Sequence, residues 1–216
     1  MLGEIMALSK QSLTGIIIIG VVVIVIVMKI LFSHSSASVD PVAARTVGPI
    51  DAKVKIVEFI DFECPACAHG ALMLKEYLAL YPGKLHLQVK YYPLMNIHRH
   101  ALQVASYAEC TARQGKFWLF FEPLAAQQPQ WSQLINAEGI FDQLAKAAGA
   151  DMGQLKSCLV SEDVSATIMG EKTLGRSLGV QSTPTYFINN KMVVGTKSLT
   201  EELNTYFPKI SNNQSK

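Results

Sequence analysis

Cys64 and Cys67 form a Cys-x-x-Cys, and Pro65 and Ala66 fill the turn between them. The pair follows the short β-branched run Val54–Lys55–Ile56–Val57–Glu58–Phe59–Ile60 and precedes a stretch, Ala68 to Leu80, with helical apolar spacing. A sulfur at such a junction caps the helix N-terminus, where unpaired N–H groups and the helix dipole stabilise a thiolate. A thiolate held there titrates at roughly 3.5–7.5, against ~8.5 for a free cysteine. Pro65 suits the first helical turn, because its missing N–H would have had no partner. Cys67, one turn on, is expected deeper, in position to resolve a mixed disulfide. The chemistry is thiol–disulfide exchange, with no cofactor beyond the redox-active disulfide Cys64–Cys67. The competing use of the motif, half of a zinc site, needs two more ligands, and no second pair follows at finger-like spacing. His98–Arg99–His100 with His86 would supply imidazoles, but an alternating pair at a helix start points them apart. No metal is expected.

Positioning these sulfurs takes a scaffold. Tyr81–Pro82–Gly83 breaks the first helix, and Leu85–His86–Leu87–Gln88–Val89–Lys90–Tyr91 then alternates as a second strand. Strand–helix–strand implies a parallel crossover. From 98 to 177 the pattern is helical, punctuated by Gly115, Pro123, Pro129, Gly139 and Gly149. In that stretch Phe117, Trp118, Phe120 and Phe121 read as a core-facing helix face. Pro93, Leu94 and Met95 are placed to edge an apolar substrate groove. Strand signals return at Thr185–Tyr186–Phe187–Ile188 and Met192–Val193–Val194, joined by Asn189–Asn190 as a tight turn. A short amphipathic helix runs from Leu199 to Tyr206. The fold class is α/β, its first part spanning 50–97, a helical insert 98–177 and a second part 178–210. Cys110 and Cys158 lie in the insert. In an oxidising compartment, a bridge between them would close a loop of about 50 residues, worth roughly 4 kcal/mol by chain entropy. The alternatives are two buried free thiols or a second redox pair.

Residues 13–32 carry one interrupting charge, Lys29, and match a bilayer core at ~1.5 Å rise per residue. They read as a transmembrane anchor after a short N-terminal segment, 1–12. Residues 33–49 then act as a tether, and 211–216 as a polar tail. A cleaved signal peptide competes, since Ser36–Ala37–Ser38 is small enough for a peptidase. The formal net charge is +2, from 19 basic and 17 acidic residues, which leaves no basic stripe for nucleic acid. The expectation is a single-pass cell-membrane protein with its catalytic domain on the extracytoplasmic side.

Three segments together resemble the DsbA-like branch of the thioredoxin superfamily. They are Glu58-x-x-x-x-x-Cys64–Pro65–Ala66–Cys67, Gln114–Gly115–Lys116–Phe117–Trp118, and Gly179–Val180–Gln181–Ser182–Thr183–Pro184–Thr185–Tyr186–Phe187–Ile188–Asn189. The likeness runs from about Val54 to Phe207. It implies a thioredoxin fold with an inserted helical domain, behind the N-terminal transmembrane helix. It also implies that Cys64 is the nucleophile, Cys67 the resolving thiol and Thr183–Pro184 a cis-proline dipeptide against the sulfurs. Glu58 falls where the family keeps a buried acid able to relay a proton. One departure matters: many strongly oxidising relatives place His where Ala66 stands, and Glu63 here adds an opposing charge. A milder oxidant is expected.

The resemblance implies an enzyme that introduces disulfides into reduced exported proteins and is reoxidised by a quinone-linked membrane partner of the DsbB or VKOR type. No dimerisation segment is visible, so a monomer is expected. A reductase or isomerase with the same site is the first alternative. A non-catalytic, membrane-anchored metal- or peptide-binding module is the second.

Overall fold

The computed structural model describes residues 10–33 and 39–207. The remainder, including most of the expected N-terminal segment 1–12, part of the tether and the polar tail 211–216, lies outside the described residues. The chain divides into two compact units, meeting between Ser38 and Val39.

The first unit contains helix α1, Lys10–Ser33. Its side chains are described over 16–28, where every residue but Gly20 is a large apolar one, exposed along its length. That stretch makes about 20 Å of helix at ~1.5 Å per residue, against a hydrocarbon core of ~30 Å. Among the described residues no helix is long and apolar enough to cross a membrane.

The second unit runs α2 (Pro41–Ala44), β1 (Thr46–Val47), β2 (Val54–Ile60), α3 (Pro65–Leu80) and β3 (Leu85–Tyr91). Then come α4 (Ala101–Ala112), α5 (Phe117–Ala126), α6 (Gln128–Trp131), α7 (Glu138–Ala147), α8 (Met152–Leu159) and α9 (Glu162–Ser177). It closes with β4 (Thr185–Ile188), β5 (Lys191–Val194) and α10 (Gly195–Tyr206). The five strands form one sheet in the order β1-β3-β2-β4-β5. β2 and β3 pair in parallel across α3, as the strand–helix–strand reading expects, with Glu58 opposite Val89. β4 runs antiparallel to β2, placing Tyr186 opposite Glu58. β4 and β5 form a hairpin whose turn puts Asn189 and Asn190 at φ 46° and 71°, the left-handed region Asn tolerates.

The sheet's alternation sorts its side chains. Val54, Ile56, Glu58 and Ile60 share one face of β2, and all four are buried. Val54 and Ile56 pack with Leu74 and Tyr77 of α3 and Leu199 and Leu203 of α10. Ile60 belongs to a second core, built mainly inside the helical insert from Tyr107, Phe120, Trp131 and Phe141. Phe117, Phe120 and Phe121 are buried there, as the core reading of that helix face expects. A disulfide between Cys110 and Cys158 ties α4 to α8.

The tether expectation needs correction at its C-terminal end. Residues 41–47 are part of the fold: Asp40 caps α2 through the Val42 N–H, and β1 extends the sheet antiparallel to β3. Arg45 explains the attachment. Its guanidinium is buried, donates to Val89 O at 2.9 Å, forks onto both oxygens of Glu171, and lies 4.3 Å over the Tyr91 ring. A two-residue edge strand has no periodicity to read, and every partner of Arg45 except Pro41 is far away in sequence.

Candidate active site

The turn between β2 and α3 builds the reactive pair. Cys64 is the N-cap of α3, with extended backbone (φ −73°, ψ 122°), and Pro65 opens the first turn. The Cys64 carbonyl accepts from the N–H groups of Cys67 and Ala68 at 3.0 and 3.1 Å, locking the turn. Pro65 and Ala66 are exposed, whereas both cysteines are buried free thiols, Cys64 at 8% exposure and Cys67 at 0%. Cys64 Sγ stands 3.6 Å from the carbonyl oxygen of Thr183. The Thr183–Pro184 peptide bond is cis, and Pro184 is buried beside the pair.

The two sulfurs are electrostatically unequal. A hydrogen bond from the Cys67 thiol, helped by the backbone N–H groups of Cys67 and Ala66, lowers Cys64 from 9.0 to about 6. Burial works against that lowering without cancelling it. Burial pushes Cys67 well above the ordinary thiol value, and the neighbouring Cys64 sulfur pushes it further. One sulfur is therefore mostly thiolate at neutral pH, and the other holds its proton.

Glu58 lies under α3 with its side chain fully buried, and burial raises it from 4.5 to about 8. The Tyr186 hydroxyl offsets part of that rise but makes no well-formed hydrogen bond with either carboxylate oxygen. Tyr186 itself is raised by burial and further by the charge of Glu58, which strand register sets opposite it. Gly70 lets α3 come this close: a Cβ there would stand 2.1 Å from the Tyr186 hydroxyl. Cys64, Cys67, Glu58 and Thr183–Pro184, singled out by the sequence, thus gather around one helix end. Cys110 and Cys158 do not join them; they are bonded within the insert.

The acidic neighbour Glu63 is turned away from the sulfurs. Its carboxylate accepts the His100 N–H at 2.6 Å, at the N-terminal end of α4, where a helix favours negative charge. Gln128 donates to its backbone carbonyl. The three histidines weighed as ligands are engaged separately: His86 with Gly48 O, His98 with Asp61, His100 with Leu134 O. No group of side chains able to hold a metal occurs among the described residues.

Asp61 is the residue that sequence reasoning missed. It is buried, and its carboxylate accepts the N–H groups of Glu63 and Leu94 at 2.9 and 2.7 Å and pairs with His98 Nδ1 at 2.8 Å. Its backbone carbonyl accepts from Cys64 N–H at 3.1 Å. An Asp bonding the N–H two residues on is an Asx turn, and Asp61-x-Glu63 was the available signal. Tyr186 carried no local signal, because only strand register brings it to Glu58.

A family model described as Thioredoxin matches residues 41–206. The chain belongs to this thioredoxin family. Among curated proteins, the Na(+)/H(+) antiporter NhaA 3 of Salinispora tropica is 29% identical over 153 residues, which make up 71% of this chain but 22% of that protein. The chain thus spans less than a quarter of that relative's length. Among solved structures, a thioredoxin-like oxidoreductase from Silicibacter pomeroyi superposes with a TM-score of 0.61 at 22% identity, covering 74% of this chain and 88% of that one. BdbD from Bacillus subtilis gives a TM-score of 0.64 at 22% identity, covering 78% and 95%. What the chain shares with these structures is the fold, a mixed α/β core with a five-stranded sheet and many helices.

Proposed function

We propose that this thioredoxin-family chain is a membrane-tethered thiol:disulfide oxidoreductase that introduces disulfide bonds into exported proteins through Cys64 and Cys67. The observation carrying this reading is the inequality of the two sulfurs: Cys64 lowered to about 6 at a helix N-terminus, Cys67 sealed and raised. That is the asymmetry a two-step exchange uses.

In the oxidised enzyme, a substrate thiolate attacks Cys64 Sγ, forming a mixed disulfide and breaking the Cys64–Cys67 bond. Cys67 leaves as a thiolate in a buried site that disfavours its charge, so it takes up a proton. Glu58, protonated below about pH 8, is the nearby buried acid suited to supply it. A second substrate thiolate then attacks the substrate sulfur of the mixed disulfide and expels Cys64. The Cys64 thiolate is a good leaving group because its pKa is low. The substrate loses two electrons and gains a disulfide, and the enzyme ends as the dithiol. Reoxidation returns those two electrons to a quinone-linked membrane partner of the DsbB or VKOR type. Cys64–Cys67 is the only redox group this cycle uses, and the protein works as a monomer.

The apolar, exposed side chains at 16–28 support an N-terminal anchor that holds the catalytic domain on the extracytoplasmic side of the cell membrane. Tethering raises the effective concentration of the domain toward a membrane-bound oxidant.

The direction of electron flow is tested by the equilibrium reduction potential against glutathione. A Cys64 value of about 6 lies between the ~3.5 of DsbA and the ~7 of thioredoxin. The potential is therefore bracketed between about −270 and about −120 mV, and a value above about −180 mV is the one the disulfide-donor reading requires. A value near −270 mV, where thioredoxin sits, would reverse the flow and make the protein a reductase.

A further inference from the structure

Against the middle and C-terminal part of α3, a cavity of ≈450 Å³ opens between that helix, α5 and the sheet. That volume falls within the range of small-molecule sites. Its wall is mostly apolar, with Ala71, Leu78, Leu87 and Phe121 among the lining residues. Lys75 and Glu122, exposed and paired at 2.6 Å, form its outer edge.

Two further polar side chains interrupt this wall, Glu58 and Trp118. Both Glu58 oxygens and Trp118 Nε1 are buried without a hydrogen-bond partner. The chain's other indole is satisfied: Trp131 Nε1 donates to Leu124 O at 2.9 Å. An unpaired buried polar atom costs about 1–3 kcal/mol, so unpaired atoms lining one cavity mark a place where a partner group is missing. Tyr186 Oη, set opposite Glu58 by strand register, is likewise buried without a partner, and Glu58 and Trp118 are the polar side chains lining the inner wall. An ion would be stripped of water against apolar walls.

We propose that this cavity binds a small uncharged molecule with an apolar body and a head group that both donates and accepts hydrogen bonds, such as a carboxamide or a phenol, the head meeting Glu58 and Trp118. A neutral carboxyl offers one donor and one acceptor, and the indole offers one donor. A primary carboxamide complements all three.

The probe is 4-methylbenzamide, titrated into the ¹⁵N-labelled full chain in detergent micelles while the two indole N–H signals are followed. The Trp118 signal is expected to shift saturably, with Trp131 unmoved as the internal reference for partitioning. Toluene, which lacks the head group, is expected to bind at least about tenfold more weakly, the loss of roughly one hydrogen bond to a buried partner. Glu58→Leu is expected to weaken the amide by a similar factor, while Glu58→Gln, which still donates and accepts, restores it. Equal shifts of both indoles, no saturable Trp118 shift, or equal affinity for toluene would overturn the proposal. The comparison of amide with toluene needs no variant to fold. Binding is read without thiol exchange, so it stands or falls apart from the oxidoreductase reading.

Discussion

Cys64 and Glu58 are displaced in opposite directions by their surroundings, and each makes a separate prediction. The Cys64 thiolate is stabilised in the native fold, so alkylation of the reduced protein by iodoacetamide should rise with a midpoint near pH 6. Cys67 should stay unreactive through pH 9, because burial holds its proton. Mass analysis of the alkylated sites separates the two; a common midpoint near 8.5 would remove the proposed asymmetry. Glu58 carries the opposite sign. Its native value is raised from 4.5 to about 8, so between those limits the folded state holds more protons than the unfolded one. Stability is fully present below about 4.5 and is lost as pH rises through that window, flattening above about 8. Glu58→Gln should therefore stabilise the protein at pH 8, by on the order of 4 kcal/mol, with the gain vanishing near pH 4. Urea melts at the two pH values check it, and a gain of equal size at both would mean the effect is not titration. The cysteine pair was legible because residue type and spacing alone define it. The depth of Glu58 was not, since one strand charge reads the same on either face until α3 is laid over it.

At the scale of elements, the sequence revealed those with a period and missed those made by partners. β2, β3 and the β4–β5 hairpin announce themselves by branched residues, alternation and the Asn189–Asn190 turn. The helical insert is marked by its Gly and Pro punctuation. α2 and β1 could not be found this way, because four helical residues and two strand residues carry no pattern, and Arg45 holds them by reaching across the fold. Arg45→Ala would strip Glu171 of its bidentate partner and leave Glu109, also fully buried, with Arg113 as its remaining cation. Removing one partner from a buried ion cluster costs about 3–5 kcal/mol. The variant should unfold at correspondingly lower denaturant, with the Cys64 alkylation midpoint unchanged because the cluster does not touch the reactive turn. The disulfide ties α4, which also carries Glu109, to α8. Cys110→Ala with Cys158→Ala reopens a loop of 48 residues' separation, and should cost roughly 2–4 kcal/mol while leaving exchange at Cys64 intact. Loss of exchange in that double variant would mean that Cys110 and Cys158 take part in the redox cycle.

For the whole molecule, the proposed exchange depends on how the thioredoxin-family domain is presented to its substrates. Asp61, Glu63 and Glu109 are buried and satisfied within the domain. Near the reactive pair, Pro65 and Ala66 are exposed over Cys64. Cys64 itself is buried beneath that turn, so access to its sulfur should govern which thiols react. Under the proposed tethering, the exposed apolar run at 16–28 would hold the domain where exported chains emerge and raise its effective concentration there. The prediction is tested in intact cells of a bacterium expressing the full chain. The protein should pellet with membranes and resist carbonate washing. After brief reduction, Cys64 should be labelled by a membrane-impermeant maleimide without lysis. Deleting 16–28 while retaining export should leave the purified domain's exchange rate within about twofold, because the anchor shares no compact unit with the reactive turn. In cells it should slow reoxidation about tenfold or more, the tether's contribution to effective concentration. Labelling that appears only after lysis would put the catalytic domain on the cytoplasmic side, where thiols are kept reduced, and disulfide donation would no longer be a tenable role.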